Sequence, residues 1–496
     1  MDLIDKLGQI CGPSHVFHEE KGGKYGSDWT GLYQFSPLAV VRPANTSEVS
    51  EILKLANREK LSVVPMSGNT GLAGGTYAEG CIVLSLERMN RIREIRNSSR
   101  IAVVEAGVVL SSLHAAVDDH DLIFPMTFGA RGSAMIGGML STNAGGSNVL
   151  KYGNTRDLCL GLEVVLPTGE IMDIMSELHK DNSGYNLKHL VIGAEGTLGI
   201  ITAAVLKLSP KPKAEATAML ATASLDEALH ILNRLQSATD GSVQAFEYMP
   251  GAYIDAFCAH FPAKKAPFET RYETNIMVDL GSTMGAMFDT DATGKTKLTE
   301  LLEEVLAEEY EGGAVLDAVV AQNEAQRQEM WERREAAAEV TITRRPIVAN
   351  DIAVPLDRVN TFVTEMEHRL QTIDTGGKAV SVAHLGDGNI HYTVWPASED
   401  AQVHSNIVEE VEELVLSLGG SFSAEHGIGL SKLPSMTRRK NQVAMQVMRQ
   451  IKAALDPNNI LNPQKVIPSK VQISKIIIPY GVVLFYFITM YTIEYI

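Results

Sequence analysis

Val63 to Gly75 reads VVPMSGNTGLAGG, and the reading of this stretch decides the fold. An apolar β-run ends at Pro65, and seven of the next ten residues are Gly, Ser, Thr or Asn. Such a loop leaves backbone N–H groups unpaired and lets a ligand come close, as in anion-binding nests. It lacks the Gly-Lys-Ser/Thr of a Walker A loop and does not match GxGxxG. Alone, it is either a phosphate cradle or a surface turn. Its flanks are regular. LAVVRP precedes it as a strand, and CIVLSL follows as another. Between LAVVRP and the loop, Thr46-Ser47 is read as the cap of a helix with Val49, Ile52, Leu53, Leu55 and Ala56 on one face.

Two further stretches have the same character. GGMLSTNAGGSNVLKYGNTRD spans 137 to 157, and DNSGYNLKHLVIGAEGTLGIIT spans 181 to 202. Three glycine-dense loops in one region suggest a long, flat ligand laid across backbone, such as a dinucleotide. Short apolar strands recur between them, with few helices. SPKPK at 209 to 213 marks a boundary, because alternating prolines leave little room for regular structure. Beyond it, helices over 225 to 236, 299 to 310 and 322 to 339 alternate with strands such as VANDIAVP and KAVSVAHLG. The expected class is α+β, with a two-lobed first domain and an antiparallel second domain. The expected divisions are a helical segment at 1–35, the ligand-binding domain at 36–210, a substrate or cap domain at 211–425, a returning helical segment at 426–468 and an apolar tail at 469–496.

The chain has 496 residues, which implies at least two domains. Its net charge of −17 argues against a nucleic-acid partner. Cys11, Cys81, Cys159 and Cys258 lie far apart with no CxxC, which fits a reducing compartment. The opening MDLIDKLGQI resembles neither a secretory signal nor a transit peptide. The expected location is cytoplasmic, with a peripheral contact at the membrane face left open by the tail. That tail, IIIPYGVVLFYFITMYT after Lys475, is just long enough for a span of ~17–25 residues. It is read as an anchor, a docking extension or an out-of-frame addition.

The second domain carries VAHLGDGNIHY at 382 to 392. If Asp387-Gly388 forms a two-residue type I′ loop, Gly386 faces Asn389, Leu385 faces Ile390 and His384 faces His391. Opposed residues share a face. The two imidazoles either share a metal ion or form an ordinary edge pair. FSAEHGIG at 422 to 429 adds Glu425 and His426, which point to opposite sides of an extended segment. Two imidazoles and a carboxylate suit Zn²⁺, Mn²⁺ or Fe²⁺ with positions left open.

Taken in order, PMSGNTGLAGG, GGMLSTNAGG, DNSGYNLKHLVIGAEGTLGIIT, HLGDGNIH, SAEHGIG and LDPNNILNP resemble the FAD-dependent D-2-hydroxyacid dehydrogenases. That family includes D-lactate dehydrogenases, the glycolate oxidase FAD subunit and D-2-hydroxyglutarate dehydrogenase. The resemblance covers roughly residues 30 to 468. It implies a two-lobed FAD-binding domain of the vanillyl-alcohol-oxidase type and a ferredoxin-like α+β cap. By resemblance, Ser67, Gly68, Asn69, Thr70, Gly71 and Leu72 wrap the FAD pyrophosphate. Gly132, Ser133, Thr142, Asn143, Gly145 and Gly146 line the flavin. Glu195, Gly196, Gly199 and Ile200 hold the adenosine half. The first loop has no histidine, so FAD is expected to be non-covalent. The family's metal set maps onto His384, His391 and Glu425, with zinc read first and Mn or Fe as the alternatives, and its general base onto His426. Arg334, placed by its distance from Trp331, maps onto the arginine that grips the substrate carboxylate. Without the resemblance, Arg334 reads as a solvated helix charge.

The implied reaction is oxidation of a 2-hydroxy acid to the 2-oxo acid. The metal lowers the hydroxyl pKa, His426 takes the proton, and hydride passes to flavin N5. Members acting on 2-hydroxyglutarate carry a lysine where Ala349 and Asn350 stand, and an Asn where Thr393 stands. The expected substrate is therefore smaller, such as D-lactate. The alternatives are a D-2-hydroxyglutarate dehydrogenase, or a glycolate oxidase FAD subunit in a membrane-associated electron-transfer complex. The expected acceptor is a quinone, a cytochrome or another flavoprotein, with O₂ as an alternative. A homodimer stays open. A non-enzymatic metal-binding module is the remaining reading.

Overall fold

The computed structural model describes residues 2–18, 21–292 and 294–469. Most of the apolar tail, from residue 470 on, lies outside the described residues. Among the described residues no helix is long and apolar enough to cross a membrane.

The first region holds two sheets over one core. Ala39–Val41, Ile82–Ser85 and Val63–Met66 run parallel, with Val16–Phe17 added antiparallel at one edge. The crossover helix Thr46–Glu59 buries Val49, Ile52, Leu53, Leu55 and Ala56. Its cap is Asn45 rather than Thr46-Ser47. The Asn45 side chain accepts from the N–H of Glu48, and Glu48 reaches back to the N–H of Ala44. This reciprocal pairing satisfies two end groups at once, so the helix starts one residue earlier than the hydroxyl pair suggests. The second sheet is antiparallel, in the order Ile92–Arg96, Ile101–Glu105, Ile200–Lys207, Cys159–Val165, Ile171–Ile174. Apolar side chains of both sheets meet in one cluster, which also takes in Ile460 and Leu461 from the chain's last described stretch.

The second region is one large antiparallel sheet. Its path runs Val315–Val320, Ala214–Thr222, Thr274–Ser282, Val243–Pro250, Val382–His384, Asn389–Trp395, Val348–Ala353. Strand alternation sends successive side chains to opposite faces. On one face Leu220, Phe246, Val278, Ile352, Ile390 and their neighbours pack under the helices Leu225–Ala238, Lys297–Glu311, Val359–Ile373 and Ala401–Ser417. On the other face, Met219, Met249 and Met277 pack with Tyr253, Phe257 and Met330. That apolar cover stops short of Glu247, Asp351, His384 and His391, which lie on the same face.

The hairpin departs from the expected register. His384 pairs with Asn389, Ala383 with Ile390 and Val382 with His391. The loop is Leu385 to Gly388, and within it only Gly388 has positive φ, at 80°. The cause is local. The His384 carbonyl accepts from the N–H groups of both Asp387 and Gly388, while Gly386 donates to the Phe246 carbonyl on the adjoining strand at 3.2 Å. Gly386 is thereby drawn out of the hairpin ladder. The slip is two residues, so both histidines stay on one face, now diagonal to each other.

Gly388 and Gly419 separate strain from contact. Both have φ of +80°, but a Cβ on Gly388 would lie 2.2 Å from the Val354 carbonyl oxygen, whereas one on Gly419 meets nothing within 4 Å. Gly419→Ala should cost about 1 kcal/mol for the left-handed conformation. Gly388→Ala should cost about 2–4 kcal/mol, because the backbone must also move. Urea midpoints of the two variants check this, and equal losses would show that the close approach is irrelevant.

Candidate functional site

The first glycine-rich loop is built to receive a ligand. None of the backbone N–H groups from Ser67 to Leu72 donates to another described residue. The side chain of Asn69 is engaged instead: it donates to the Ser27 carbonyl and accepts from Thr76. The loop therefore keeps its shape while its amides stay available. Gly71 and Gly132 have open space where a Cβ would stand. Beside them lies a cavity of about 370 Å³ lined by Tyr25, Trp29, Met66, Ser67, Gly68, Asn69 and Ser133. Free amides, an open glycine edge and an adjoining cavity fit the diphosphate of a dinucleotide.

Other glycines in this region serve packing. A Cβ at Gly68 would fall 2.1 Å from the Ser133 carbonyl oxygen, and one at Gly146 would fall 2.2 Å from that of Thr127. Gly196 abuts Pro65, and Gly199 abuts Val164. The Thr142 hydroxyl back-bonds to its own helix at the Gly138 carbonyl, and Asn143 accepts from the N–H of Arg156. Ile200 opens a buried strand. The carboxylate of Glu195 accepts from the N–H groups of Ile428 at 2.7 Å and Gly429 at 2.8 Å. Its side chain thus ties the 425–429 segment down onto the first region.

That tie brings the second region's chemistry to the glycine loops. A Cβ at Gly145 would lie 2.9 Å from Glu425 Oε2. A side chain at 145 would have to push that carboxylate aside. Glu425 Oε1 lies 3.4 Å from His391 Nε2 and 3.6 Å from His426 Nε2. The His391 and His426 rings are stacked, with centroids 5.4 Å apart and planes 15° apart. On their far edge is Asp351, whose oxygens lie 3.7 Å from the Nδ1 atoms of both rings. One ligand atom from each of Asp351, His391, Glu425 and His426 falls within 4.8 Å of the others, a grouping able to hold a metal ion.

His384 stands outside that group of four, with its ring centroid 5.4 Å from that of His391. Its Nδ1 meets Glu247 at 2.9 Å. Strand pairing makes the contact unavoidable, since Glu247 is directly opposite His384. Arg334 Nε donates to the same carboxylate at 2.7 Å, leaving Nη1 without a protein partner among the described residues. Burial pushes the Glu247 carboxyl up, but the His384 and Arg334 charges outweigh it and hold the group below its usual range. Burial works against charge on His384, yet Glu247 holds its pKa above the ordinary value. His391 goes the other way. Burial and two neighbouring imidazoles keep it neutral, as a metal ligand must be.

Sequence reading missed Glu247, Asp351 and Lys432. The first two had a signal. Each is the only acid in an otherwise uncharged strand, in VQAFEYMP and VANDIA. Lys432 had none. It is half-buried, donates to Ser423 at 2.9 Å and lies 3.5 Å from Asp351 Oδ2.

Comparison with known proteins agrees with this geometry. A model described as FAD binding domain matches residues 37–175, and one described as FAD linked oxidases, C-terminal domain, matches residues 211–466. The chain is 34% identical over 479 residues to the probable mitochondrial D-2-hydroxyglutarate dehydrogenase of Oryza sativa subsp. japonica, covering 95% of this chain and 82% of that one. It is 34% identical over 449 residues to D-2-hydroxyglutarate dehydrogenase of Xanthomonas citri pv. viticola, covering 89% and 91%. It is 36% identical over 447 residues to the mitochondrial D-2-hydroxyglutarate dehydrogenase of Bos taurus, covering 89% and 79%. In fold it is similar to p-cresol methylhydroxylase with substrate bound, at TM-score 0.70 and 15% identity over 93% of this chain and 95% of that one. It is similar also to 4-ethylphenol oxidase from Gulosibacter chungangensis, at 0.68 and 18% over 95% and 97%. The vanillyl-alcohol-oxidase-type flavoprotein fold follows from these matches.

The Glu247 cluster yields a stability prediction. Glu247→Ala leaves Arg334 buried without its carboxylate, and loss of one member of a buried pair costs about 3–5 kcal/mol. A denaturant midpoint unchanged from wild type would show that Arg334 finds water or another partner.

Proposed function

Because this chain belongs to the FAD-dependent D-2-hydroxyacid dehydrogenases, we propose that it oxidises a small D-2-hydroxy acid of the D-lactate type to the 2-oxo acid, with a divalent metal and a histidine base. The observation that carries the reading is the meeting of the Gly145 loop with Glu425, His391 and His426. It sets an acid–base and ligand cluster against the edge of the cofactor cradle.

When bound, FAD supplies a two-electron acceptor and the divalent ion supplies a Lewis acid for the hydroxyl oxygen. His384, His391 and Glu425 would hold the ion, zinc being the first candidate and Mn or Fe the others. The carboxylates behind His384 and His391 support this, since a ligating imidazole is usually oriented through its other nitrogen. His426 Nε2 takes the substrate hydroxyl proton. Arg334, pinned through Nε, offers Nη1 to the substrate carboxylate. The amides of Ser67 to Leu72 hold the cofactor's diphosphate non-covalently, with Gly132, Ser133, Gly145 and Gly146 at the flavin and Gly196 and Gly199 toward the adenosine.

The substrate's far end meets Ala349 and Thr393. They pair directly across the strands, on the face of His391 and one step along from it. Neither carries a charge, which suits a monocarboxylate. A second reading, D-2-hydroxyglutarate, is favoured by the names of the relatives. Arg344, stacked 5.9 Å over Trp395 further along the same strand, supplies a cation that could meet a second carboxylate. The electron acceptor would be a quinone, a cytochrome or another flavoprotein.

The test is anaerobic bleaching of the bound flavin by a panel of D- and L-2-hydroxy acids. D-lactate should bleach it and L-lactate should not; faster bleaching by D-2-hydroxyglutarate would move the assignment to the second reading. A colourless protein with no affinity for FAD would overturn both. His426→Ala should retain flavin and lose about 10²–10⁴-fold in turnover. Dialysis against EDTA should abolish turnover, with Zn²⁺ or Mn²⁺ restoring it; an unchanged rate would remove the metal from the mechanism.

A further inference from the structure

We infer that Asp351 is a positioning residue shared by the metal site and the base, orienting His391 and His426 from behind with one carboxylate. The inference rests on the ligand and base roles proposed above. Asp351 is only 3% exposed. Its oxygens lie 3.7 Å from Nδ1 of His391 and 3.7 Å from Nδ1 of His426, so the Nε2 edge of each ring is turned toward Glu425. The carboxylate itself is fixed on every side. Oδ1 accepts from Asn389 Nδ2 at 2.9 Å. Oδ2 accepts from the N–H groups of Glu425 at 3.0 Å and His426 at 2.8 Å. Lys432 Nζ stands 3.5 Å from Oδ2.

The arrangement follows from strand register. Asp351 lies directly opposite His391, so the pair cannot separate without breaking the sheet. The backbone bonds to Glu425 and His426 then seat the second segment against the same atom. Ligand, base and the loop that carries both are thus indexed to one carboxylate. A ligand role for Asp351 is disfavoured by its engagement, because both oxygens already accept from protein donors.

The experiment uses the FAD-loaded protein, stripped of metal and titrated with Co²⁺. Wild type is compared with Asp351→Asn. Asparagine keeps the shape and one acceptor oxygen, but presents an NH₂ where an acceptor stood, so at least one imidazole loses its orientation. Co²⁺ affinity should weaken about 10–100-fold, the usual effect of losing an outer partner of a ligating histidine. The visible ligand-field bands at saturating Co²⁺ should be unchanged. With metal saturating, kcat should stay at least about tenfold low while KM moves little, because His426 is also misaligned. Flavin absorbance confirms that the variant is folded. If it does not fold, Asn389→Ala, which removes one donor to Oδ1, should give a smaller loss of Co²⁺ affinity in the same direction. Unchanged affinity and kcat in whichever variant folds overturn the inference alone. Altered ligand-field bands also overturn it, by making Asp351 a ligand. A wild type that takes up no Co²⁺ overturns the metal reading, and this inference with it.

Discussion

A buried carboxylate must find partners or lose its charge, and two such groups, Glu247 and Asp351, organise the histidine-bearing face of the second sheet. Each sits in a strand whose other side chains build the core, so neither can turn outward. Glu247 is matched by Arg334 and His384. Asp351 is matched by Asn389, Lys432 and two backbone N–H groups. The cost of removing two charges from water is offset only if these partners hold fixed positions. Stability of the second region and orientation of the imidazoles are therefore one requirement.

The same economy of space joins the two regions. Glu195 adopts a positive φ of 52° and is itself buried, with its carboxyl pushed up by burial. It caps the backbone of Ile428 and Gly429, two and three residues beyond His426. A Cβ at Gly427 would fall 2.7 Å from its Oε1. The chain then continues through Gln442–Leu455 and returns to the first core, where Val63 donates to the Ile460 carbonyl and Asn462 donates back to that of Val63. Lys465, its pKa lowered to about 8 by burial, is anchored at the Tyr77 carbonyl. The chain beyond His426 is thus fastened twice to the glycine-rich domain, which is how Gly145 and Glu425, some 280 apart in sequence, come to lie side by side.

Much of this was legible from the residues. The glycine loops announced a cradle because composition alone frees backbone amides. The alternating strands gave two antiparallel systems, and the motif order gave the family. What escaped was whatever depended on partners from distant strands. The hairpin register slipped by two because Phe246, well over a hundred residues earlier, draws Gly386 aside. Glu195 was assigned to the adenosine half by resemblance; that its side chain also accepts from a segment more than two hundred residues later was not visible in the residues around it. Glu247 and Asp351 were visible as lone acids in apolar strands, but only the pairing shows which imidazole each one backs. Ile460 and Leu461, in the stretch read as a returning segment, pack into the first core.

The contrast between His384 and His391 shows why the fold uses two carboxylates. Glu247 makes a short contact with His384 and favours its charged form, whereas Asp351 stands farther from His391, whose neighbours favour neutrality. Were a metal held by both rings, protons would compete with it more strongly at His384 than at His391. Binding would therefore weaken as pH falls through the raised pKa of His384, while His391 stays competent throughout. Favouring charge on one ring and neutrality on the other also limits the repulsion that two adjacent imidazolium groups would add to a buried face. A metal shared by the two rings would therefore disturb the short Glu247 contact of His384 more than the longer Asp351 contact of His391.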